Sequence, residues 1–136
     1  MPKISRLMIR FSYAFLFLGI CLGAAMLIHK AYPLHHTLWR LLPIHIEMLI
    51  FGWIIQFTLG TAYWILPRFL KAPQRGPTVP AYLMVVSLNS GILLTITGHI
   101  IGTGVPVQLV GRSLELVAVI LFISLHWGRI ITYRSK

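Results

Sequence analysis

Four long stretches of apolar residues dominate the sequence and limit the folds that it can adopt. They cover residues 11–28, 42–66, 81–101 and 105–131. A helix needs about 20 apolar residues to cross the hydrocarbon core of a bilayer, and hydrocarbon offers no water to unpaired backbone groups. The stretches are too long and too few for a membrane barrel. We therefore predict an all-α integral membrane four-helix bundle, a single domain over residues 1–136 with helices at about 8–29, 42–67, 81–102 and 105–131.

The composition excludes a soluble enzyme. Hydrophobic residues make up 57% of the chain and charged residues only 10%, whereas soluble domains average about 25% charged residues. The first apolar stretch is longer than the roughly 7 to 15 residues of a signal peptide, so we expect a retained helix. A lone cysteine, Cys21, provides neither an intramolecular disulfide nor a cysteine-based metal site.

The basic residues predict the orientation of the chain in the membrane. Nine of the 12 Lys and Arg residues flank the same side of the predicted bundle: Lys3, Arg6, Arg10, Arg68, Lys71, Arg75, Arg129, Arg134 and Lys136. Lys30 and Arg40 flank the other side, and Arg112 lies inside the fourth stretch. Positive residues stay on the cytoplasmic side, so both termini should be cytoplasmic, in the inner (plasma) membrane of a prokaryotic cell. Because these charges border apolar stretches, we expect a lipid bilayer and no nucleic acid as partner.

Several ionisable residues fall inside the apolar stretches, where they cost several kcal/mol unless they are paired or ligated. They are Glu47, Glu115, Arg112, His45, His99 and His126. Arg112 can pair with Glu115 at i,i+3 spacing. For Glu47 the sequence leaves two alternatives. One is a position near the headgroups, where it is hydrated or paired with Lys30 or Arg40, and the other is a role as a proton carrier or a counter-charge. His126 lies near the inner boundary, where an interfacial position is expected.

Two of these histidines, His45 and His99, should lie at similar depth near the outer face. With about 100° of rotation per residue, Gly52 and Gln56 fall on the His45 face of their helix, followed by Gly60 and Tyr63, so a flat ligand could lie there. Two imidazoles can fill both axial positions of a haem, and cations near the outer face could neutralise its propionates. Candidates for that role are Arg40, Lys30 and Arg112. The alternatives are histidines that form interhelical hydrogen bonds and a site for another metal.

The segment of residues 45–68, HIEMLIFGWIIQFTLGTAYWILPR, resembles helix II of subunit I of the haem-copper oxidases, the superfamily of cytochrome oxidases and nitric oxide reductases. The shared pattern is a histidine near the outer end, Phe-Gly, a later glycine, and aromatic residues before a proline. The resemblance implies that His45 is an axial ligand of a low-spin haem, here a haem b. It covers about 24 residues strongly and the rest only as hydropathy.

The chain also departs from that family. The family's subunit has about twelve helices, and its other haem and copper ligands lie on helices that are absent here. His99 is the first choice for the second axial ligand, with His29 or a residue of another subunit as alternatives. The pair His35 and His36 faintly resembles the copper-binding double histidine, but a solvated loop is the simpler interpretation.

These features predict a small membrane-bound b-type cytochrome that transfers electrons in a respiratory chain, with a quinol or a cytochrome as redox partner. One haem cannot perform a multi-electron reduction, so we do not expect an enzyme in the chain alone. The alternatives are a non-catalytic accessory subunit of a respiratory complex and a haem- or NO-binding sensor. A homo-oligomer or a place in such a complex is expected, although the motif of Gly19 and Gly23 also suits packing within the chain.

Overall fold

The computed structural model describes residues 1–32, 38–66, 77–102 and 105–133, and every regular element in them is helical. Helix α1 spans Lys3–Ala31, α3 spans Thr78–Ile101 and α4 spans Val105–Tyr133. Helix α2 starts with a 3-10 turn at Leu38–Leu41 and continues through Leu42–Glu47, Met48–Ile55 and Gln56–Ile65. All four helices are long and apolar enough to cross a membrane, which confirms a multi-pass, all-helical membrane protein.

Two helices begin earlier than predicted. Helix α1 starts at Lys3 instead of about residue 8, because Ile4 and Met8 are buried against the bundle while charged neighbours stay outside. Helix α3 starts at Thr78, and Pro80 lies in its first turn. A proline stops a helix only where its missing N–H would have an intrahelical acceptor, and the first turn has none. Hydropathy marks the part of a helix in hydrocarbon and not its full length.

Helix α3 lies at the centre of the bundle. In the most apolar 18-residue segment of α3, 44% of the residues are buried, against 17 to 22% in the corresponding segments of the other three helices. The core residues that it contributes are Ala81, Met84, Val85, Leu88, Ile92 and Ile96. Helix α4 packs mainly on α3, where Gly91 and Gly111 let the two backbones touch. A Cβ atom on Gly91 would lie only 2.7 Å from the carbonyl oxygen of Gly111.

Helices α1 and α2 pack against each other through glycines as well. Ser5 near the start of α1 donates a hydrogen bond to the carbonyl of Gly60 near the end of α2, at 2.5 Å. Gly19 contacts Leu49, and Gly23 contacts the ring of His45. The motif of Gly19 and Gly23 therefore serves packing within the chain. We call the end of the bundle where α1 ends and α2 begins the distal end, and the opposite end the proximal end.

The middle of α2 is a π-helix, Met48–Ile55. A π-helical turn takes more residues than an α-helical turn and is often found at functional sites. It shifts the helical phase of the residues that follow it. His45, Gly52 and Gly60, which were predicted on one face, do all contact α1. Gln56 and Tyr63 were predicted on the same face and instead contact α3 and α4. Glu47 and Gln56, predicted on different faces, are both almost fully buried, with exposed fractions of 1% and 0%.

The close approach of α3 and α4 makes a first prediction. Gly111→Ala would place a methyl group 2.8 Å from the carbonyl oxygen of Gly91, a backbone atom that cannot turn away. We expect a loss of about 1 to 3 kcal/mol in the free energy of unfolding, as for other overpacked cores. The control is Gly98→Ala, whose nearest neighbour is the side chain of Gln108 at 3.2 Å. Unfolding in micelles followed by circular dichroism measures both, and equal stability would contradict this packing.

Candidate functional site

His45 lies near the distal end of α2 and faces α1. Its Nδ1 lies 2.8 Å from the carbonyl oxygen of Gly19. A carbonyl oxygen can only accept, so Nδ1 is the donor in this pair and carries a proton. In the neutral ring Nε2 then keeps its lone pair. A histidine that donates one ring N–H to a backbone carbonyl and keeps the other nitrogen unprotonated has the arrangement of a typical metal ligand.

The His45 ring borders a groove of about 230 Å³ between the distal ends of α1 and α2. The groove is lined by Gly23, Met26, Leu27, Lys30, Trp39, Leu42 and His45, and we call it the His45 groove. It combines apolar walls with one cation, Lys30. Leu27 is 70% exposed and Leu42 is 40% exposed, so the groove opens on the outer surface of the bundle.

His99, the predicted second ligand, lies at a different helix interface. Gln108 Nε2 lies 3.2 Å from His99 Nδ1 and connects α3 with the start of α4. An amide nitrogen donates, so Nδ1 of His99 accepts and the ring proton is on Nε2. His45 is thus bonded to α1 and His99 to α4, and their hydrogen bonds select opposite tautomers.

The other predicted distal residues do not complete a haem site around His45. Arg40 is exposed in the 3-10 turn, and His29 is buried near the end of α1. His35 and His36 lie outside the described residues. Among those that are described, no three His, Cys, Asp or Glu side chains form a group that could hold a metal ion.

The predicted open face of small residues along α2 is filled by the rest of the chain. Phe15 occupies the space beside Gly52, where a Cβ atom would lie 2.5 Å from the ring. Gln56 is fully buried and donates from Nε2 to Oδ1 of Asn89 on α3 at 3.1 Å. Both residues therefore pack between helices in this structure.

The strongest polar cluster of the bundle is an ion triad of Glu47, Arg112 and Glu115. Nη2 of Arg112 lies 2.6 Å from Glu47 Oε2, and Nη1 lies 2.8 Å from Glu115 Oε2. The predicted i,i+3 pair of Arg112 and Glu115 is confirmed. Glu47 is buried and paired across the bundle with Arg112, which agrees with the alternative of a counter-charge. The alternative of hydration or pairing with Lys30 or Arg40 near the headgroups is wrong. The pairing of Glu47 with Arg112 joins residues of two different helices, so no local spacing in the sequence indicates it.

The ion triad contains two carboxylates and one guanidinium. Both carboxylate side chains are nearly fully buried, whereas the Arg112 side chain is 45% exposed and covers the Phe51 ring at 4.6 Å from its centroid. Thr95 on α3 donates a weak hydrogen bond of 3.5 Å to Glu115 Oε1. Arg112 therefore connects α2 and α4, and Glu115 extends the connection to α3.

His126, near the proximal end of α4, faces the interior of the bundle. Its exposed fraction is 2%, and its depth near the inner membrane boundary stays a prediction. Its ring stacks on Phe122 at 4.1 Å and meets the edge of Tyr63 on α2 at 5.5 Å. Nδ1 donates to the carbonyl of Phe122 at 2.7 Å. The i,i+4 spacing of Phe122 and His126 places the two rings on the same side of α4.

Comparison with known proteins adds no relative. No protein family, no curated protein and no solved structure matches the chain.

The ion triad makes a second prediction. Arg112→Met would leave two buried carboxylates without a counter-charge, and breaking buried pairs in this way costs about 3 to 5 kcal/mol. The triple variant Glu47→Gln, Glu115→Gln, Arg112→Met removes all three charges and should recover most of that loss. Unfolding in micelles measures both variants, with Arg40→Met as a control for an exposed cation. A single variant as stable as the triple one would contradict a structural role for the charge pairing.

Proposed function

We propose that the protein is a small membrane-bound b-type cytochrome in which His45 is an axial ligand of the haem. The observation that carries the proposal is the hydrogen bond of His45 Nδ1 to the Gly19 carbonyl, which fixes the ring and leaves Nε2 unprotonated. A bound haem would supply one-electron transfer. The resemblance of residues 45–68 to helix II of haem-copper oxidases points to the same histidine.

The His45 groove supplies further features that suit a haem. Its walls are mostly apolar, and Lys30 provides a cation for a propionate. Gly23 makes room for the imidazole, because a Cβ atom there would lie 2.6 Å from Cε1 of His45. The residues present therefore fit one axial side of a haem.

The second axial ligand is best sought outside the His45 groove. His45 is the only imidazole among the described residues that line the groove, and His99 is engaged by Gln108. The groove volume of about 230 Å³ is also below the roughly 300 to 1,000 Å³ of typical ligand pockets. We propose that a second copy of the chain, or a partner subunit of a respiratory complex, covers the groove. Within the sequence of this chain, His29 and His99 are the competing sources of the second axial ligand.

The proposed orientation indicates on which side of the membrane the haem would lie. Nine basic residues on one side favour cytoplasmic termini in the inner membrane of a prokaryotic cell, which would put His45 near the outer face. Electrons would then pass from a quinol or a membrane dehydrogenase to an acceptor outside. The chain alone is proposed as an electron carrier and not as an enzyme.

A second candidate is a non-catalytic accessory subunit of a respiratory complex. It is favoured by one observation: His45 and His99 each already form a hydrogen bond that joins two helices. Such bonds are typical structural contacts in membrane bundles. In that case the protein would bind no haem, and the two histidines would affect only assembly.

A third prediction separates these functions. The purified protein should show a b-type α band in its reduced-minus-oxidised spectrum, and His45→Ala should lose the band together with extractable haem, because an axial ligand is removed. The control is His126→Phe, which alters a buried histidine near the other end of the bundle and should leave the band in place. A colourless wild-type protein without haem would exclude the cytochrome. His29→Ala and His99→Ala test the competing second ligands.

A fourth prediction concerns the position of the His45 ring. Gly23→Ala keeps the ligand but introduces a methyl group 2.6 Å from Cε1, so the ring must move. We expect a shifted midpoint potential and weaker haem retention, with the protein still folded. The control, Gly60→Ala, crowds Met8 in the same helix pair but near the proximal end. Equal spectra and potentials for both variants would contradict a haem beside His45.

A further inference from the structure

Three basic residues form a line along the first two turns of α1. Lys3, Arg6 and Arg10 are all exposed, and their spacing of three and four residues places them on one side of a helix. Together with Leu7 they line a surface pocket of about 230 Å³. We call this surface the basic stripe.

The basic stripe is held on a rigid support. The opposite side of the same two turns is buried, with Ile4 at 4% exposure and Ser5 and Met8 at 0%. Ser5 also bonds to the backbone of α2. The three cations are therefore not on a frayed end, and their mutual geometry is set by a helix that is packed against the bundle.

No acidic side chain of the sequence is left to neutralise the basic stripe. The 136 residues contain only two acidic ones, Glu47 and Glu115, and both are engaged by Arg112 inside the bundle. Within the described residues the ion pairs are those of Arg112, and none involves Lys3, Arg6 or Arg10. Since no acidic side chain of the chain can balance the charge of the basic stripe, we look for its counter-ion in another molecule.

The position of the basic stripe along the membrane normal indicates which molecule that is. Helix α1 has 29 residues and is about 43 Å long at about 1.5 Å per residue. The hydrocarbon core is only about 30 Å thick, and the apolar stretch of residues 11–28 is long enough to fill most of it. The two turns that carry the stripe then lie at the level of the lipid headgroups, where phosphates are the anions present in quantity.

We propose that the basic stripe is a binding site for the phosphate of an anionic glycerophospholipid. Lys3, Arg6 and Arg10 would surround the phosphodiester group, and Leu7 would contact the glycerol and the start of an acyl chain. A zwitterionic lipid carries its own cation beside the phosphate and should bind more weakly. The proposal does not depend on the haem.

The test is native mass spectrometry of the intact protein in a non-ionic detergent, titrated with dioleoylphosphatidylglycerol or dioleoylphosphatidylcholine. Detergent removes any effect of the substitutions on membrane orientation. We expect one preferred phosphatidylglycerol per chain. Each cation near a lipid surface contributes about a factor of five in binding, so R6Q/R10Q should lower the affinity for phosphatidylglycerol about 25-fold and remove its preference over phosphatidylcholine.

The matched control is K30Q/R40Q, which removes the same number of charges at the distal end and should change the affinity less than two-fold. R6K/R10K keeps the charge and should retain most of the binding, and circular dichroism checks that each variant is folded. Equal losses in R6Q/R10Q and K30Q/R40Q would overturn the site, because only total charge would then matter. Equal binding of the two lipids to the wild type would overturn it too, and so would full competition by equimolar glycerol 3-phosphate, which would indicate a site for a soluble phosphate ester.

Discussion

The contact on which the arrangement of the bundle depends is the guanidinium of Arg112 between two buried carboxylates. Charges in hydrocarbon are costly unless they are paired, so this triad strongly restricts how α2 and α4 can rotate about their axes. With Glu47 held toward α4, the π-helix places Gln56 toward α3 and Tyr63 toward His126. His45, two residues before Glu47, is then directed away from the triad and toward α1.

The hydrogen bonds of the histidines follow from the lack of water in hydrocarbon, because a buried polar group has to find its partner within the bundle. Three histidines form hydrogen bonds within the bundle. His45 bonds to a carbonyl of α1, His99 to a side-chain amide of α4, and His126 to a carbonyl one turn earlier in α4. These partners also fix the tautomers. His45 and His126 both donate from Nδ1, whereas Nδ1 of His99 accepts from Gln108. His126 is buried, with an exposed fraction of 2%, and His45 borders a groove that opens on the surface of the bundle, so its position distinguishes it as a proposed ligand.

The distribution of charge links the interior of the bundle to its surroundings. Both acidic residues form ion pairs with Arg112. The sequence therefore has no acidic side chain left to pair with the other basic residues. The interior is stabilised by pairing within the chain, whereas the basic stripe has no acidic side chain of the sequence to pair with. The proposed lipid phosphate would supply the missing anion there.

The sequence by itself determined four membrane helices, their approximate limits, and the pairing of Arg112 with Glu115, because hydropathy and i,i+3 spacing are local properties. It also singled out His45. It could not show that Glu47 meets Arg112, that Phe15 fills the space beside Gly52, or that His99 bonds to Gln108. Each of these contacts joins residues of two different helices, so it depends on how the helices pack. Only the tertiary structure decided them, because no local spacing shows which helices face each other, and the glycine contacts set how closely the helices approach.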